Sequence, residues 1–196
     1  MRPVVLFYHS ASPYSNWYPA RFAIPDEDGA LVVYGCVEQR MMHAKALLFG
    51  DDDAAAAIMR SSSPAAQKKV GRRVRGFDER RWAQARYDVV LEAVRAKFDQ
   101  NPSLREALLS EPRDALFAEA SPRDKIWGIG LAASSPGAAD PARWKGANLL
   151  GTAITAVRDE LALRAAAEPA LASSGEDSGP APSLSDADVD ALLGLY

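Results

Sequence analysis

Two ionisable residues on one predicted helix could do chemistry together. Glu38 lies in the first turn of a helical pattern that begins near Val37 and ends at Gly50, and Lys45 follows it on the same helix. Because an α-helix turns about 100° per residue, their seven-residue step returns to nearly the same side, roughly 10 Å further along the axis. The pair therefore either lines one cleft or belongs to a solvated helix face. A direct ion pair between them is not expected, since helical ion pairs form at three- or four-residue spacing.

A second group of interest surrounds a tryptophan. Asp124 precedes the run Trp127-Gly128-Ile129-Gly130. Glycines beside an aromatic residue allow the backbone to approach a ligand closely. The same pattern is also typical of a tight turn that contains a buried tryptophan. It lacks the third glycine of the dinucleotide-binding fingerprint, so that class of site is not indicated.

The N-terminal loop between Ser10 and Pro19 is rich in aromatic residues, and Asn16, Trp17 and Tyr18 stand side by side in it. Loops lie on the surface, whereas aromatic side chains prefer burial. The loop is therefore expected either to pack onto the core or to form a wall that stacks against a ligand.

Two features could bind an anionic group. A basic run in a chain of net charge −3 contains Lys68, Lys69, Arg72, Arg73 and Arg75. Such side chains bind phosphate oxygens, although a basic run is also typical of a solvated surface. The second feature is Asn148, which begins a predicted helix whose free N–H groups favour anions.

Composition limits the classes of function. The 196-residue chain has 48% hydrophobic and 25% charged residues, as expected for an ordinary globular domain. It has one cysteine, Cys36, and two histidines, which excludes an intrachain disulfide and makes a cysteine or histidine metal site unexpected. We therefore expect no metal and no cofactor. A single cysteine fits a reducing, cytoplasmic location. No apolar run approaches the roughly 18 residues of a membrane span, so no membrane partner is expected.

Carboxylate, amine and tryptophan side chains remain as the candidate reactive groups. They suit cleavage of a glycosidic bond, because a carboxylate can stabilise an oxocarbenium-like transition state or activate water. A second acid can protonate the leaving base. A lysine could instead attack the sugar carbon and form a Schiff base, and tryptophans can stack on a planar base.

The elements that must position these residues predict an α+β fold, predominantly helical, with a small N-terminal antiparallel β-sheet. The sheet is predicted from a strand over residues 3–8 and a hairpin of residues 20–24 and 31–34 around an Asp-Gly turn. Residues 116–120 could form a further strand. Helices are predicted over residues 37–49, 54–60, 65–70, 77–98, 103–110 and 148–167.

We expect residues 1–167 to form one domain and residues 168–196 to form a tail. The stretch 168–185 is rich in Ser, Gly, Pro and Glu, a composition typical of disorder. Residues 186–196 end with several apolar side chains. They are expected to be either a frayed end or a short amphipathic segment that docks a partner.

Short motifs follow one another in a fixed order along the chain. They begin with Ser15-Asn16-Trp17-Tyr18-Pro19, Val37-Glu38-Gln39, Ala44-Lys45-Ala46-Leu47, Ser63-Pro64, Gly71-Arg72, Trp82, Lys97-Phe98, Gln100-Asn101-Pro102 and Leu108-Leu109. They end with Glu119-Ala120-Ser121, Asp124, Trp127-Gly128-Ile129-Gly130, Gly146-Ala147-Asn148-Leu149-Leu150-Gly151 and Val157-Arg158. This series resembles the NADAR family, also called YbiA-like, over about residues 5–164.

The resemblance implies an N-glycosidase that hydrolyses a ribose C1–N bond. Members of the family act on phosphoribosylamino-pyrimidine intermediates of riboflavin biosynthesis, or remove ADP-ribose from guanine bases. The expected partner is therefore a small-molecule or an ADP-ribosylated nucleic-acid substrate. The alternative is a module that binds ADP-ribose or NAD without hydrolysis.

The resemblance also implies roles for individual residues. Glu38 is the expected catalytic carboxylate and Asp124 the second acid, while Lys45 would contact the ribose C1 or its hydroxyl groups. The other expected substrate-binding residues are Trp17, Tyr18 and Trp127 at the base and sugar, with Asn16, Arg72, Gly128, Gly130 and Asn148 around the ribose and phosphate oxygens.

The chain departs from the family pattern in three places. Gln39-Arg40-Met41-Met42 stands where members usually have a histidine and aromatic residues after the glutamate. Trp17 stands where phenylalanine is usual, and the loop between Gly130 and Asn148 is longer than expected. These departures affect the expected base specificity more than the reaction type.

Overall fold

The structure, a computed structural model, describes residues 2–174. Its strands are β1 (Val4–Phe7), β2 (Phe22–Pro25), β3 (Leu31–Tyr34) and β4 (Leu116–Glu119). Its helices are α1 (Val37–Leu48), α2 (Asp52–Arg60), α3 (Pro64–Gly71), α4 (Glu79–Asp99), α5 (Pro102–Ser110) and α6 (Leu149–Ser174), and a short 3₁₀ helix covers Pro141–Arg143. The predicted α+β, predominantly helical fold is confirmed. Most of the predicted tail, including residues 186–196, lies outside the described residues.

The four strands form two separate pairs. β2 and β3 are antiparallel, with Phe22 opposite Tyr34, as the predicted hairpin requires. β1 instead pairs in parallel with β4, and Phe7 lies opposite Glu119. The expectation that the sheet comes from the first 36 residues alone is wrong for β1, because its partner strand follows α5.

Helix α1 lies among three other helices and packs against α2, α3 and α4. Its buried side chains include Val37, Met41 and Ala46. Helix α3 comes so close that a Cβ atom on Gly71 would lie 2.1 Å from the Met42 sulfur. A side chain at position 71 would therefore force the Met42 side chain of α1 to move.

Side chains cap three helices at their N-termini. Asp51, Ser63 and Asp78 each accept the backbone N–H of the residue three positions later, at 3.3, 3.4 and 2.9 Å. Such caps satisfy N–H groups that have no partner within the helix. Because Asp78 is the cap, α4 begins at Glu79 rather than at the predicted Phe77.

The main hydrophobic core includes one face of α6. Its buried residues there are Leu150, Ile154, Val157 and Leu161, the positions that the apolar periodicity predicts. One compact unit of the chain ends at Leu161, and a second begins at Ala162 with the last part of α6. That helix reaches Ser174 rather than ending near Ala167. Among the described helices, none combines the length and the apolar character that crossing a membrane requires.

Candidate active site

Glu38 is the centre of the candidate site. It lies in the first turn of α1 and is 2% exposed. The indole N–H of Trp17 donates a hydrogen bond to its Oε2 at 3.1 Å. The other carboxylate oxygen, Oε1, is buried and has no hydrogen-bond partner among the described residues. Because buried polar atoms are nearly always hydrogen-bonded, Oε1 is an acceptor that a bound molecule could use.

The backbone ties Glu38 to the N-terminal loop a second time. The Glu38 N–H donates to the carbonyl oxygen of Asn16 at 3.0 Å. The N-cap residue, Cys36, is extended and its side chain caps nothing, so the Asn16 carbonyl satisfies an N–H at the helix start. Asn16 is buried, and its Oδ1 also lacks a hydrogen-bond partner within residues 2–174.

Residues of the aromatic loop divide between core and site. Tyr14 is buried, and its ring centroid lies 4.8 Å from that of Phe117. Trp17 and Tyr18 are half-buried. Trp127, the third predicted stacking residue, is buried in the main core. Packing of the loop onto the core is therefore observed for Tyr14, and a ligand-stacking wall that includes Trp17 and Tyr18 stays a prediction.

Charged residues from two further segments, α3 with its C-terminal cap and the turn after β4, act on Glu38. Burial raises the pKa of Glu38, while the positive charge of Lys68, the Trp17 hydrogen bond and the charge of Arg72 lower it. The negative charge of Asp124 raises it. Glu38 is thus a buried carboxylate whose pKa responds to two cations and to the carboxyl group of Asp124, and Glu119 in turn responds to Glu38 and Asp124. The carboxylate cluster, as we call it, consists of Glu38, Glu119 and Asp124.

Glu119, the last residue of β4, is a carboxyl group that the sequence pattern does not single out. Its pKa is raised to about 7, mainly by burial and also by the charges of Asp124 and Glu38, against the opposing charge of Lys68. Its Oε2 is buried without a hydrogen-bond partner in the described part of the chain. A carboxyl group with such a pKa can hold and release a proton near neutrality. The sequence signal that could have identified Glu119 was its place in the motif Glu119-Ala120-Ser121, which begins at the last residue of β4.

Asp124 belongs to the cluster, but one of its oxygens is already used. Its Oδ1 accepts the backbone N–H groups of Ile126 at 2.9 Å and Trp127 at 2.8 Å. Its own N–H donates to the Ser121 hydroxyl at 3.2 Å. These bonds stabilise the turn after β4. The role of Asp124 as second acid stays a prediction, while Glu119 has the unpartnered oxygen that proton donation needs.

Three of the predicted substrate-binding positions have structural roles around β4. A Cβ atom on Gly128 would lie 2.8 Å from the carbonyl oxygen of Glu119, and Gly130 has a φ of +68°. The Asn148 amide donates to the Phe117 carbonyl at 2.8 Å, and its Oδ1 accepts the Glu119 N–H at 3.1 Å. The side chain of Asn148 is therefore engaged with the strand that carries Glu119. Direct contact of these three residues with a ligand stays a prediction.

Lys45 lies among residues that do not belong to the carboxylate cluster. Its Nζ is 3.9 Å from the ring centroid of Phe77. Burial lowers its pKa and the charge of Glu79 raises it. Glu38 and Lys45 share one side of α1. However, Glu38 lies in the first turn of the helix and Lys45 in the last, beside the start of α4. The observed neighbours of Lys45, namely Phe77 and Glu79, are not members of the carboxylate cluster, and its expected contact with the ribose stays a prediction.

Lys68 is the lysine that acts on Glu38 and Glu119. It lies on α3, is half-buried, and its Nζ is 5.7 Å from the Trp17 ring centroid. Arg72, at the C-terminal cap of α3, is exposed. The basic run therefore does not act as one group. Lys68 and Arg72 act on Glu38, whereas Arg75 forms an ion pair with Asp51 at 2.7 Å. The sequence pattern contained Lys68 but gave no reason to prefer it over its neighbours.

Two cavities lie beside α1. One of about 780 Å³ is lined by Trp17, Cys36 and Gln39 together with residues around the start of α3. The other, of about 760 Å³, is lined by residues that include Tyr34 and Arg40 and by none of the expected site residues. The first cavity is the better candidate for a substrate, because Trp17, which binds Glu38, is among its lining residues, although Glu38 itself is not. Within residues 2–174, no set of three or more His, Cys, Asp or Glu side chains is arranged to hold a metal ion.

Comparison with known proteins gives the site a family context. The NADAR domain matches residues 6–162 of the chain. The chain belongs to the NADAR family. The matched stretch contains the aromatic loop, all of α1 and α3, and the whole carboxylate cluster, so the resemblance in the sequence motifs is confirmed.

Relatives of this NADAR protein include an N-glycosidase of Acanthamoeba polyphaga mimivirus. The two are 40% identical over 162 residues, covering 79% of this chain and 95% of the relative. The chloroplastic riboflavin biosynthesis protein PYRR of Zea mays is 30% identical over 155 residues, covering 76% of this chain and 23% of that protein. The NMR structure of the E. coli protein YbiA matches with a TM-score of 0.63 and 26% identity, covering 85% of this chain and 89% of YbiA.

Proposed function

We propose that this NADAR protein is an N-glycosidase that hydrolyses the bond between ribose C1 and a base nitrogen. One observation carries the proposal: Glu38 is a buried carboxylate with one oxygen bound to Trp17 and the other without a partner among the described residues. The name of its mimivirus relative, an N-glycosidase similar over nearly its whole length, supports the same activity.

Glu38 acts on the sugar in this proposal. When the C1–N bond breaks, its electron pair goes to the leaving nitrogen and positive charge develops at C1. A carboxylate beside C1 stabilises that charge. Burial raises the pKa of Glu38 above its ordinary value, while the charge of Lys68 and the Trp17 hydrogen bond oppose that rise and favour the ionised form.

Glu119 acts on the leaving base. With a pKa of about 7 it is partly protonated near neutral pH, and it gives its proton to the departing nitrogen. A water molecule then forms the new bond to C1, and Glu38 accepts the proton that the water loses. The products are a free base and a ribose with a hydroxyl group at C1, and exchange with solvent restores both carboxyl groups.

The substrate class follows from the wall of the site and from the relatives. The indole ring of Trp17 offers a face for a planar base, and Lys68 and Arg72 offer positive charge for a phosphate. Two substrates present both features, namely a phosphoribosylamino-pyrimidine and an ADP-ribosylated guanine. The name of the Zea mays relative, a riboflavin biosynthesis protein, supports the first.

The test is turnover of each substrate by the purified protein. We expect chromatography with mass spectrometry to detect the free base and the matching ribose product from at least one of them. If neither is consumed, the proposed function is wrong. Calorimetry with ADP-ribose then separates the remaining cases, since tight binding without release of a base would identify a binding module.

A further inference from the structure

Lys97 is a lysine in an unusual place. It lies near the end of α4 and is 1% exposed, whereas lysine is almost never fully buried unless it is paired. The acceptor of its Nζ hydrogen bond is the backbone carbonyl of Ser15, at 3.0 Å, and not a carboxylate. Its Nζ also lies 5.3 Å from the ring centroids of Tyr18 and Phe98.

The carbonyl that Lys97 binds belongs to the loop that holds Glu38. Ser15 directly precedes Asn16, whose carbonyl accepts the Glu38 N–H at 3.0 Å. Trp17 follows, and its indole N–H donates to Glu38 Oε2 at 3.1 Å. A second hydrogen bond, from the Trp17 N–H to the Ser15 hydroxyl at 3.1 Å, stiffens the same turn. The carbonyl that Lys97 binds is thus one residue in sequence from the Asn16 contact and two residues from the Trp17 contact that fix the carboxylate.

We propose that Lys97 is a positioning residue, which holds residues 15–18 in the conformation in which the Trp17 indole binds Glu38. The inference rests on the proposed role of Glu38, because only then does the position of that carboxylate matter for turnover. Lys97 acts through the Ser15 carbonyl and does not itself contact the reacting atoms.

Burial of the Lys97 side chain destabilises the folded protein. Removing an ammonium group from water is unfavourable, and burial lowers the pKa of Lys97 to about 7. Replacement of buried charged groups by apolar side chains of similar size is often neutral or stabilising. A residue kept for stability alone would therefore be replaceable by methionine, which has a similar length and lacks the donor.

The experiment compares Lys97→Met with Arg80→Met, a control at an exposed residue of the same helix. We expect Lys97→Met to lower kcat at least about tenfold, because small displacements of catalytic groups have effects of that size or larger, with a much smaller change in KM. The melting temperature at pH 7 should not fall. The Trp17 indole N–H signal in a ¹⁵N NMR spectrum, assigned with Trp17→Phe, should move, and Arg80→Met should leave all three readouts unchanged.

Two results would overturn the inference. One is an unchanged kcat and an unmoved indole signal in Lys97→Met. The other is a clear fall in melting temperature together with the loss of activity, or failure of Lys97→Met to fold, which would make Lys97 a structural residue. If the unaltered protein turns over neither substrate, the proposed function fails, but the indole signal still decides whether Lys97 positions Trp17.

Discussion

Trp17 and Glu38 are joined by a hydrogen bond of 3.1 Å that uses only one oxygen of a buried carboxylate. The Trp17 indole approaches from a loop and Glu38 lies on a helix, and the same loop binds the Glu38 backbone through Asn16. The second oxygen has no hydrogen-bond partner in the described part of the chain. A buried acceptor without a hydrogen bond destabilises the folded protein. A ligand that supplies a donor or a positive charge would remove this destabilisation.

Replacing Trp17 by phenylalanine removes the donor and keeps an aromatic ring. Because the bond lowers the pKa of Glu38, its loss should raise that pKa. If activity needs ionised Glu38, the acidic limb of the pH–rate profile should therefore move to higher pH. We expect kcat near neutrality to fall about tenfold, in line with a hydrogen bond to a charged group.

The matched control is Trp144→Phe, which removes an indole that donates to the Ala138 carbonyl at 2.9 Å. Its pH–rate profile should overlie that of the unaltered protein. An acidic limb that does not move in Trp17→Phe would show that the indole does not influence the ionisation of Glu38.

Glu119→Gln tests the proton donor. The pKa of Glu119 is raised to about 7, so its protonated form is lost as the pH rises through about 7, and activity should fall on that side. Glutamine cannot donate a carboxyl proton, and we expect kcat to decrease about a hundredfold. The basic limb near pH 7 should also vanish from the residual activity.

Glu106→Gln, at an exposed position of α5, is the control for this substitution. The measurement is kcat/KM between pH 5 and 9 for all three proteins. A basic limb that persists unchanged in Glu119→Gln would assign the proton donor to another group, of which Asp124 is the first candidate.

A comparison of Lys68→Met with Lys45→Met tests which lysine belongs to the site. Lys68 lowers the pKa of Glu38, whereas Lys45 lies against Phe77. We expect Lys68→Met to reduce kcat/KM at least about tenfold and Lys45→Met to have the smaller effect. The reverse order would restore Lys45 to the role that the family resemblance implies.

Stability should depend on pH through Lys97. Burial lowers its pKa to about 7 in the folded protein, against an ordinary lysine value of 10.5. Between these values the unfolded chain binds a proton that the native protein does not, so the free energy of unfolding should rise with pH over this window. Below pH 7 both states bind the proton, and the contribution of this group is constant.

Urea unfolding between pH 6 and 10 measures this effect. The difference in the free energy of unfolding between Lys97→Met and the unaltered protein should become smaller as the pH rises, by an amount on the order of a few kcal/mol. A difference that stays constant with pH would mean that Lys97 keeps an ordinary pKa in the folded state.

Local features of the fold could be predicted from the sequence. The β2–β3 hairpin depends on a turn and two short strands that are neighbours in the chain, and the cap at Asp51 or Ser63 depends on a hydrogen bond over three residues. Pairing of β1 with β4 joins distant parts of the chain, and nothing in either strand alone indicates its partner.

The candidate site was predictable only in part for the same reason. Glu38 and Asp124 could be named from their motifs, but Glu119 gains its raised pKa from burial and from charges on other segments. The spacing of Lys45 gave its side of the helix correctly and could not show that Phe77 and Glu79 would surround it. A lysine on α3, close to the Trp17 ring, acts on Glu38 instead.

The most direct test of the central claim is the single-turnover rate of C1–N bond cleavage by Glu38→Gln, measured beside Glu106→Gln on whichever substrate the unaltered protein cleaves. Glutamine keeps the size of the side chain and removes its charge. We expect Glu38→Gln to be slower by at least about a hundredfold, with a folded structure and substrate binding retained, and Glu106→Gln to match the unaltered protein. Cleavage by Glu38→Gln at the unaltered rate would contradict the assignment of Glu38 as the catalytic carboxylate.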